Sequence, residues 1–269
     1  MAGGARGAAW SASASASVSV AVAVTFACAL LVGCGGSSTP SNGEASKPAG
    51  EIVADAASAL RSTPNLWMRG ALHIERRPTR VALGIERPGR VSIAMTRPTE
   101  ALALIVVGGA GYMKANASFW QRRAGAPSAE VGLVAERWIK VPPHEGIGKL
   151  AGNFDVTRLS ECLVEEHGTL AVEGSTTVDG QPAVVVVDRG DRPGTTPSRL
   201  YVASTGQPHL LRLLATGRQR PGDTHGRCHK SGEMNEPTEP GDELDFSYDR
   251  SPSIAAPAGA LSVSELARG

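Results

Sequence analysis

Apolar and polar residues alternate with a period of two over much of the first half of the chain. Four consecutive segments show this alternation: 66–74, 81–86, 91–96 and 102–106. Pro88-Gly89 and Gly108-Gly109 supply turns, and the second turn leads into Tyr112-Met113-Lys114. Because successive side chains of a strand point to opposite faces of a sheet, the pattern predicts an antiparallel meander with one apolar face.

Helical patterns replace the alternation in three places. Apolar residues recur at helical spacing in segment 51–61, which precedes the first strand. Residues 118–134 lack alternation and are interpreted as helix. Val156 and Leu163 lie on one face of a further predicted helix, which starts near Asp155, a suitable N-cap.

A second meander follows the helices. Its expected strands are 170–178, 183–187, 200–202, 210–214 and 244–248. Asp179-Gly180, between the first two, is the dipeptide most typical of a two-residue hairpin turn. The polar segment 217–241 interrupts the series before its last strand.

About nine or ten strands with one apolar face need a cover for that face. Two sheets would cover each other in a sandwich. Alternatively, one curved sheet would wrap around the helices. The helices lie between the two sets of strands in the sequence, which favours the second arrangement. The predicted class is α+β, a curved antiparallel half-barrel sheet wrapped around a few helices.

The first 33 residues have the organisation of an export signal. Arg6 is the only charged residue among them, and the apolar stretch 18–32 is shorter than the roughly 20 residues that span a bilayer. The stretch ends in Leu31-Val32-Gly33-Cys34, which matches the lipobox of bacterial lipoproteins. We expect cleavage before Cys34 and a diacylglycerol on its sulfur, whose acyl chains, such as palmitate, hold the protein at the extracytoplasmic face of the cell membrane. An ordinary secretory signal or an uncleaved anchor is the alternative.

The residues after the lipobox are typical of a flexible linker. Segment 34–50 contains mainly Gly, Ser, Pro and other polar residues after the cysteine. The predicted organisation is a signal peptide over 1–33, a lipidated cysteine and tether over 34–50, and one folded domain over 51–266.

Composition and motifs argue against several functions. The formal net charge is +1 and the charges are scattered, so no nucleic-acid partner is expected. The sequence contains no nucleophile elbow, zinc-protease motif or phosphate loop, so neither an enzyme nor a cofactor is expected. His225, Cys228 and His229 lie close together, but their polar loop has no second cysteine nearby and favours a surface loop over a metal site.

The four cysteines leave one pair in the mature protein. Cys28 lies in the signal peptide and Cys34 carries the lipid, so Cys162 and Cys228 remain. An even pair in an oxidising compartment predicts a disulfide. Two separated thiols are the alternative.

Five short motifs give the chain a family resemblance. They are Tyr112-Met113-Lys114, Phe119-Trp120, 138–142, 178–184 and 200–208. Their order resembles that of the actinobacterial lipoproteins of the LppX/LprG type, relatives of the LolA/LolB carriers, from Glu51 to Leu266. The resemblance implies a half-barrel that encloses an apolar cavity. The long polar segment 217–241 departs from the short connection that is usual there.

The resemblance also implies a function. The domain is expected to bind acylated lipid or lipoglycan in its cavity and to carry it within the cell envelope, with a possible envelope transport partner. Only 4% of the residues are aromatic, so few large side chains can fill the space beneath a wide sheet. The candidate lipid-binding residues are Met68, Leu83, Ile85, Met95, Leu104 and Val106; by themselves these positions also fit a packed core. The alternative function is an envelope sensor or interaction module that uses the same fold to regulate a partner protein.

The lipobox generates the first testable prediction. Replacing Cys34 by Ser removes the sulfur that accepts the lipid, so the variant is expected to accumulate as an unprocessed precursor. Mass spectrometry and membrane partitioning check this. Equal mature mass and equal partitioning of parent and variant would show that Cys34 is not the lipidated residue.

Overall fold

A computed structural model describes residues 40–123, 125–141, 156–222, 237–248 and 253–266. These residues form twelve strands and five α-helices, and a 3-10 turn at Glu44–Ser46. The helices are α1 (Ala49–Ser62), α2 (Ala117–Arg123), α3 (Ser128–Val134), α4 (Val156–Glu165) and α5 (Val263–Leu266). The strands are β1 (Asn65–Ile74), β2 (Arg77–Glu86), β3 (Arg90–Thr96), β4 (Ala101–Val107), β5 (Ala110–Ala115), β6 (Ile139–Val141), β7 (Leu170–Val178), β8 (Gln181–Asp188), β9 (Ser198–Ala203), β10 (Leu210–Ala215), β11 (Glu243–Ser247) and β12 (Leu261–Ser262).

All twelve strands belong to one open, curled sheet, which confirms the predicted α+β class and excludes the sandwich. Their order is β12-β6-β5-β4-β3-β2-β1-β11-β10-β9-β8-β7. The first meander therefore lies on one side of β1, and the second lies on the other. Neighbouring strands are antiparallel except β12, whose two residues pair in parallel with β6. So short a strand has no periodicity, which is why the sequence did not predict it.

The two meanders join where β1 pairs with β11. Gly70 lies opposite Leu244 in this pairing. A Cβ placed on Gly70 would lie 1.8 Å from the backbone oxygen of Glu243 and 3.0 Å from the Cα of Leu244. The two backbones approach more closely than any other residue type would allow, so glycine is required at the junction of the two halves of the sheet.

One face of the sheet, here called the inner face, carries the hydrophobic core. The core joins β1–β4 and β8–β11 with α1 and α4. Helix α1 buries Ile52, Val53, Ala56 and Leu60 and packs against α4 and strands of the second meander. In the first meander, α2 packs against β4. Helix α1 thus makes its main sheet contacts with the second meander.

The predicted tether is wrong over its second half, because residues 41–47 pack against the sheet. Ser41 pairs with Thr205, and the Asn42 side chain donates to the backbone oxygen of Ala203 at 3.0 Å. Glu44 is buried, and Lys47 Nζ lies 2.6 Å from carboxylate oxygens of both Glu44 and Asp55. Backbone pairing and a charged network fix the segment despite its loop-like composition. The folded domain therefore begins by Ser41, not at Glu51.

The predicted helices correspond to described ones. Segment 51–61 is helical within α1, and 118–134 contains two short helices, α2 and α3, rather than one. Helix α4 begins at Val156, and its predicted N-cap, Asp155, lies outside the described residues. Among the described residues, no helix has the length and apolar character needed to cross a membrane.

The junction generates a prediction about stability. Gly70→Ala is expected to lower the free energy of unfolding by at least about 2 kcal/mol, since the methyl group would force β1 and β11 apart. Gly132→Ala in α3 is the matched control, because a Cβ there meets nothing within 4 Å. That change is expected to stabilise the protein by about 0.5–1 kcal/mol. Denaturant unfolding measures both, and equal stability of the two variants would contradict the close approach.

Candidate functional site

The six candidate lipid-binding residues all lie on the inner face. Each belongs to the main hydrophobic core or packs against it. Met68, Leu83, Ile85 and Leu104 are buried, whereas Met95 and Val106 are half-buried. The strand registers explain this common orientation, because Leu83 lies opposite Ile93 and Ile93 lies opposite Leu104. The period-two pattern therefore assigned the correct face to all six.

A cavity of about 220 Å³ opens at one end of this face. Its apolar part comes from Ile74 at the end of β1, Met95 on β3, Leu102 at the start of β4 and Phe119 on α2. Met95 is the one candidate residue that borders it; the other five pack in the core beside it. Since ligand pockets commonly measure about 300–1,000 Å³, this cavity suits one segment of an acyl chain and not a whole lipid.

Charged side chains form the rim of the cavity. Glu75, Arg97, Glu100 and Arg123 line it together with the apolar residues. Arg123 donates from Nη2 to Glu75 Oε2 at 2.7 Å and from Nε to Glu100 Oε2 at 3.3 Å. Arg97 Nη1 lies 3.5 Å from carboxylate oxygens of both glutamates. The cavity thus has an apolar floor and a rim of ion pairs.

The backbone sets the positions of the rim residues. Glu75 lies in the two-residue turn between β1 and β2, and Glu75 and Arg76 both adopt left-handed φ values. Arg97 and Glu100 bracket the turn between β3 and β4, and the Arg97 N–H donates to the backbone oxygen of Glu100 at 2.8 Å. The hydrogen bond from Arg123, and its charge and that of Arg97, hold the pKa of Glu75 below its usual range. The Glu75 carboxylate is therefore ionised at neutral pH.

Two other cavities are less suited to an acyl chain. A cavity of about 260 Å³ lies at the opposite end of β1, and Arg69, Asp179, Gln181 and Asp245 contribute to its mixed polar lining. A third, of about 50 Å³, lies beside α4. Burying the polar groups of either beneath a hydrocarbon chain would cost free energy, because their hydrogen bonds to water would be lost.

Buried acidic groups elsewhere support the backbone. Asp242 Oδ1 lies 2.7 Å from His73 Nδ1, and its Oδ2 accepts the N–H groups of Thr238 and Glu239. Asp188 accepts the N–H groups of Gly168 and Gly190, while burial raises its pKa. Within the described ranges, no group of three potential metal ligands occurs. These carboxylates hold loops in place through their hydrogen bonds.

Several predicted residues lie outside the described ranges. Cys34, Cys228 and the two histidines beside Cys228 are among them. Cys162 is buried on α4. The pairing of Cys162 with Cys228 stays a prediction.

The sequence predicted the apolar face but not the rim. Glu75, Arg97 and Arg123 are far apart in the chain, and only the folding of β1–β4 and α2 brings them together. Arg122-Arg123 is a basic pair in the sequence, and such pairs are common on solvated faces. No local pattern would have assigned Glu75 as its partner.

Known proteins resemble this chain in structure. No protein-family model and no curated protein matches the sequence. The crystal structure of LprF from Mycobacterium bovis aligns with 82% of this chain and 100% of its own, at 16% identity and a TM-score of 0.49. Mycobacterium tuberculosis lipoprotein LppX aligns with 77% of this chain and 97% of its own, at 12% identity and a TM-score of 0.46. The structure of the Pseudomonas aeruginosa MucA/MucB complex aligns with 78% of this chain and 61% of its own, at 14% identity and a TM-score of 0.36.

LppX is one of the two lipoproteins that name the type to which the sequence shows a resemblance. At these identities and TM-scores the similarity assigns neither a ligand nor an activity to this chain. Its function must be inferred from its own residues.

The cysteine pair generates a prediction. Protein isolated from its native compartment is expected to yield one disulfide-linked peptide that contains Cys162 and Cys228 when it is digested without reductant. A closed loop of this size contributes roughly 4 kcal/mol in the chain-entropy model, so reduction should lower the free energy of unfolding by a few kcal/mol. Free thiols at both positions in the peptide map would rule the pairing out.

Proposed function

We propose that this protein binds an acyl chain of a lipid or lipoglycan at the inner face of its sheet and carries it within the cell envelope. The cavity with its floor of Ile74, Met95, Leu102 and Phe119 is the observation that supports this most directly. Each methylene that moves from water into such a site gains about 0.8 kcal/mol. Several methylenes together offset the cost of immobilising a chain. Binding of this kind makes and breaks no covalent bond, so we propose a carrier and not an enzyme.

The half-buried state of the residues around the cavity supports a ligand site over a finished core. Ile74, Met95, Leu102 and Phe119 are all intermediate in exposure, whereas Leu104, deeper on the same face, is 3% exposed. Apolar side chains that remain partly accessible in a concave site gain free energy when a hydrocarbon ligand covers them. The inner face thus has a buried core around Leu104 and a partly accessible apolar surface around the cavity.

Membrane anchoring through Cys34 is part of the proposal. The N-terminal segment reaches the sheet at Thr205, in the turn between β9 and β10. The strand registers place this turn at the same end of the sheet as the start of β1, whereas the cavity lies at the end of β1, beside Ile74. An anchor on Cys34 would therefore attach the domain by the end remote from the cavity.

Substitution on the two faces of β3 tests the proposal. Met95→Trp places a large side chain at the cavity, whereas Ala94→Trp places the same side chain on the exposed outer face of the same strand. We expect Met95→Trp to lose most of the lipid that co-purifies with the parent, and Ala94→Trp to retain it. Solvent-extracted lipid per mole of protein is the measurement, and circular dichroism is the control for folding. Leu104 is a poorer test position, because a larger side chain there would disturb the buried core.

Two outcomes would contradict the proposal. Equal lipid content in the two folded variants would show that the cavity beside Met95 is not the binding site. Absence of lipid from the parent, even after incubation with native envelope lipids, would reject the carrier function and favour the module that regulates a partner protein.

A further inference from the structure

Arg123 holds two carboxylates at the rim of the cavity, and they differ in how firmly they are held. Glu100 is 6% exposed and lies within 4.0 Å of Arg77, Arg97 and Arg123. Glu75 is 59% exposed and extends from a two-residue turn to Arg123 Nη2. A buried carboxylate with three guanidinium neighbours is a fixed part of the structure. An exposed ion pair is screened by solvent and contributes little to stability, so a competing anion can displace Glu75.

Two arginines beside the rim give its surroundings an excess of positive charge. The four rim residues themselves sum to a formal charge of zero. Arg77 lies 4.0 Å from Glu100, and Arg122 donates to Thr99, which follows β3, so the six side chains together sum to a formal charge of +2, compared with +1 for the whole chain. Arg123 Nη1 donates to none of the described residues. The rim and these two neighbours therefore have both the charge and the donors to bind an anion.

We propose that this rim binds the anionic head group of the lipid whose acyl chain enters the cavity. The ligand class is an amphiphile with a carboxylate or phosphate head group and one inserted hydrocarbon chain. Its head group takes the place of the Glu75 carboxylate on Arg123, and its chain covers Met95, Leu102 and Phe119. Glu75 occupies the head-group position when the cavity is empty and returns to solvent when it is filled.

Guanidinium chemistry explains why Arg123 suits this role. The planar guanidinium offers parallel N–H donors that match the two oxygens of a carboxylate or phosphate, and such charge-assisted hydrogen bonds are stronger than neutral ones. The interaction with Glu100 through Nε fixes the orientation of the group, so Nη1 and Nη2 remain for the ligand. The acyl chain of the ligand supplies most of the affinity, and its head group supplies the selectivity.

This inference rests on the proposed function. Probes that have the same hydrocarbon chain but different head groups test the head-group site separately from chain binding. Dodecanoate, dodecanol and acetate are titrated into the purified protein at neutral pH, below the micelle concentration, by calorimetry. We expect dodecanoate to bind about tenfold more tightly than dodecanol, the ratio that one charge-assisted hydrogen bond provides. Acetate, which lacks the chain, is expected to give no measurable binding.

Three variants assign the preference to the rim. Arg123→Gln is expected to reduce the ratio of the two affinities to about one, while Glu75→Gln is expected to raise the affinity for dodecanoate, because the internal competitor is gone. Arg199→Gln is the matched control: Arg199 forms a two-point ion pair with Glu173, at 2.7 Å for both contacts, between β9 and β7. It should keep the parental ratio. Circular dichroism confirms folding of each variant.

The outcomes separate the two claims. Equal affinity of the parent for dodecanoate and dodecanol would overturn the head-group site and leave the carrier function intact. A preference that survives Arg123→Gln would also overturn it. Binding of acetate as tight as that of dodecanoate would show a site for free anions. Failure of both chain-bearing probes to bind would overturn the proposed function together with this inference.

Discussion

The structure depends on one constraint: a single curled sheet presents a continuous apolar face that must be kept from water. Burial of apolar area is the main favourable term in folding. The described helices α1 and α4 cover that face mainly over the second meander, and α2 packs against β4 of the first. The close approach of β1 and β11 at Gly70 holds the two halves of the sheet together. Apolar surface remains partly accessible at one end of the strands of the first meander, and this surface supports a ligand site there.

The cavity has an apolar floor and a charged rim, an arrangement that matches the hydrocarbon chain and head group of an amphiphile. Ile74, Met95 and Leu102 lie on β1, β3 and β4 of the inner face, while Arg97 directly follows β3 and Arg123 ends α2. An arginine at this boundary keeps its charge near water while its neighbours provide the apolar floor. The N-terminal segment joins the sheet at the other end, by Thr205. A carrier anchored there would present its cavity away from its attachment point.

The sequence was informative wherever a feature is local. Alternation over 66–106 predicted β1–β4 and the inner face, and Asp179-Gly180 predicted the β7–β8 hairpin. The alternation could not distinguish Met95, which borders the cavity, from Leu104, which lies in the core, because depth beneath a curved sheet depends on distant elements. The rim residues could not be predicted for the same reason, because distant elements bring them together. Composition misled over 41–47, where Asn42 and Lys47 find partners elsewhere in the fold.

Native mass spectrometry of the purified protein tests the central claim most directly. If the inner face holds an acyl chain, the folded protein carries an additional mass that disappears on denaturation and is recovered as an acyl-bearing lipid, whereas any lipid on Cys34 remains attached to the chain. Recovery of the ligand-free mass alone, before and after incubation with envelope lipids, would contradict a lipid-binding function for this fold.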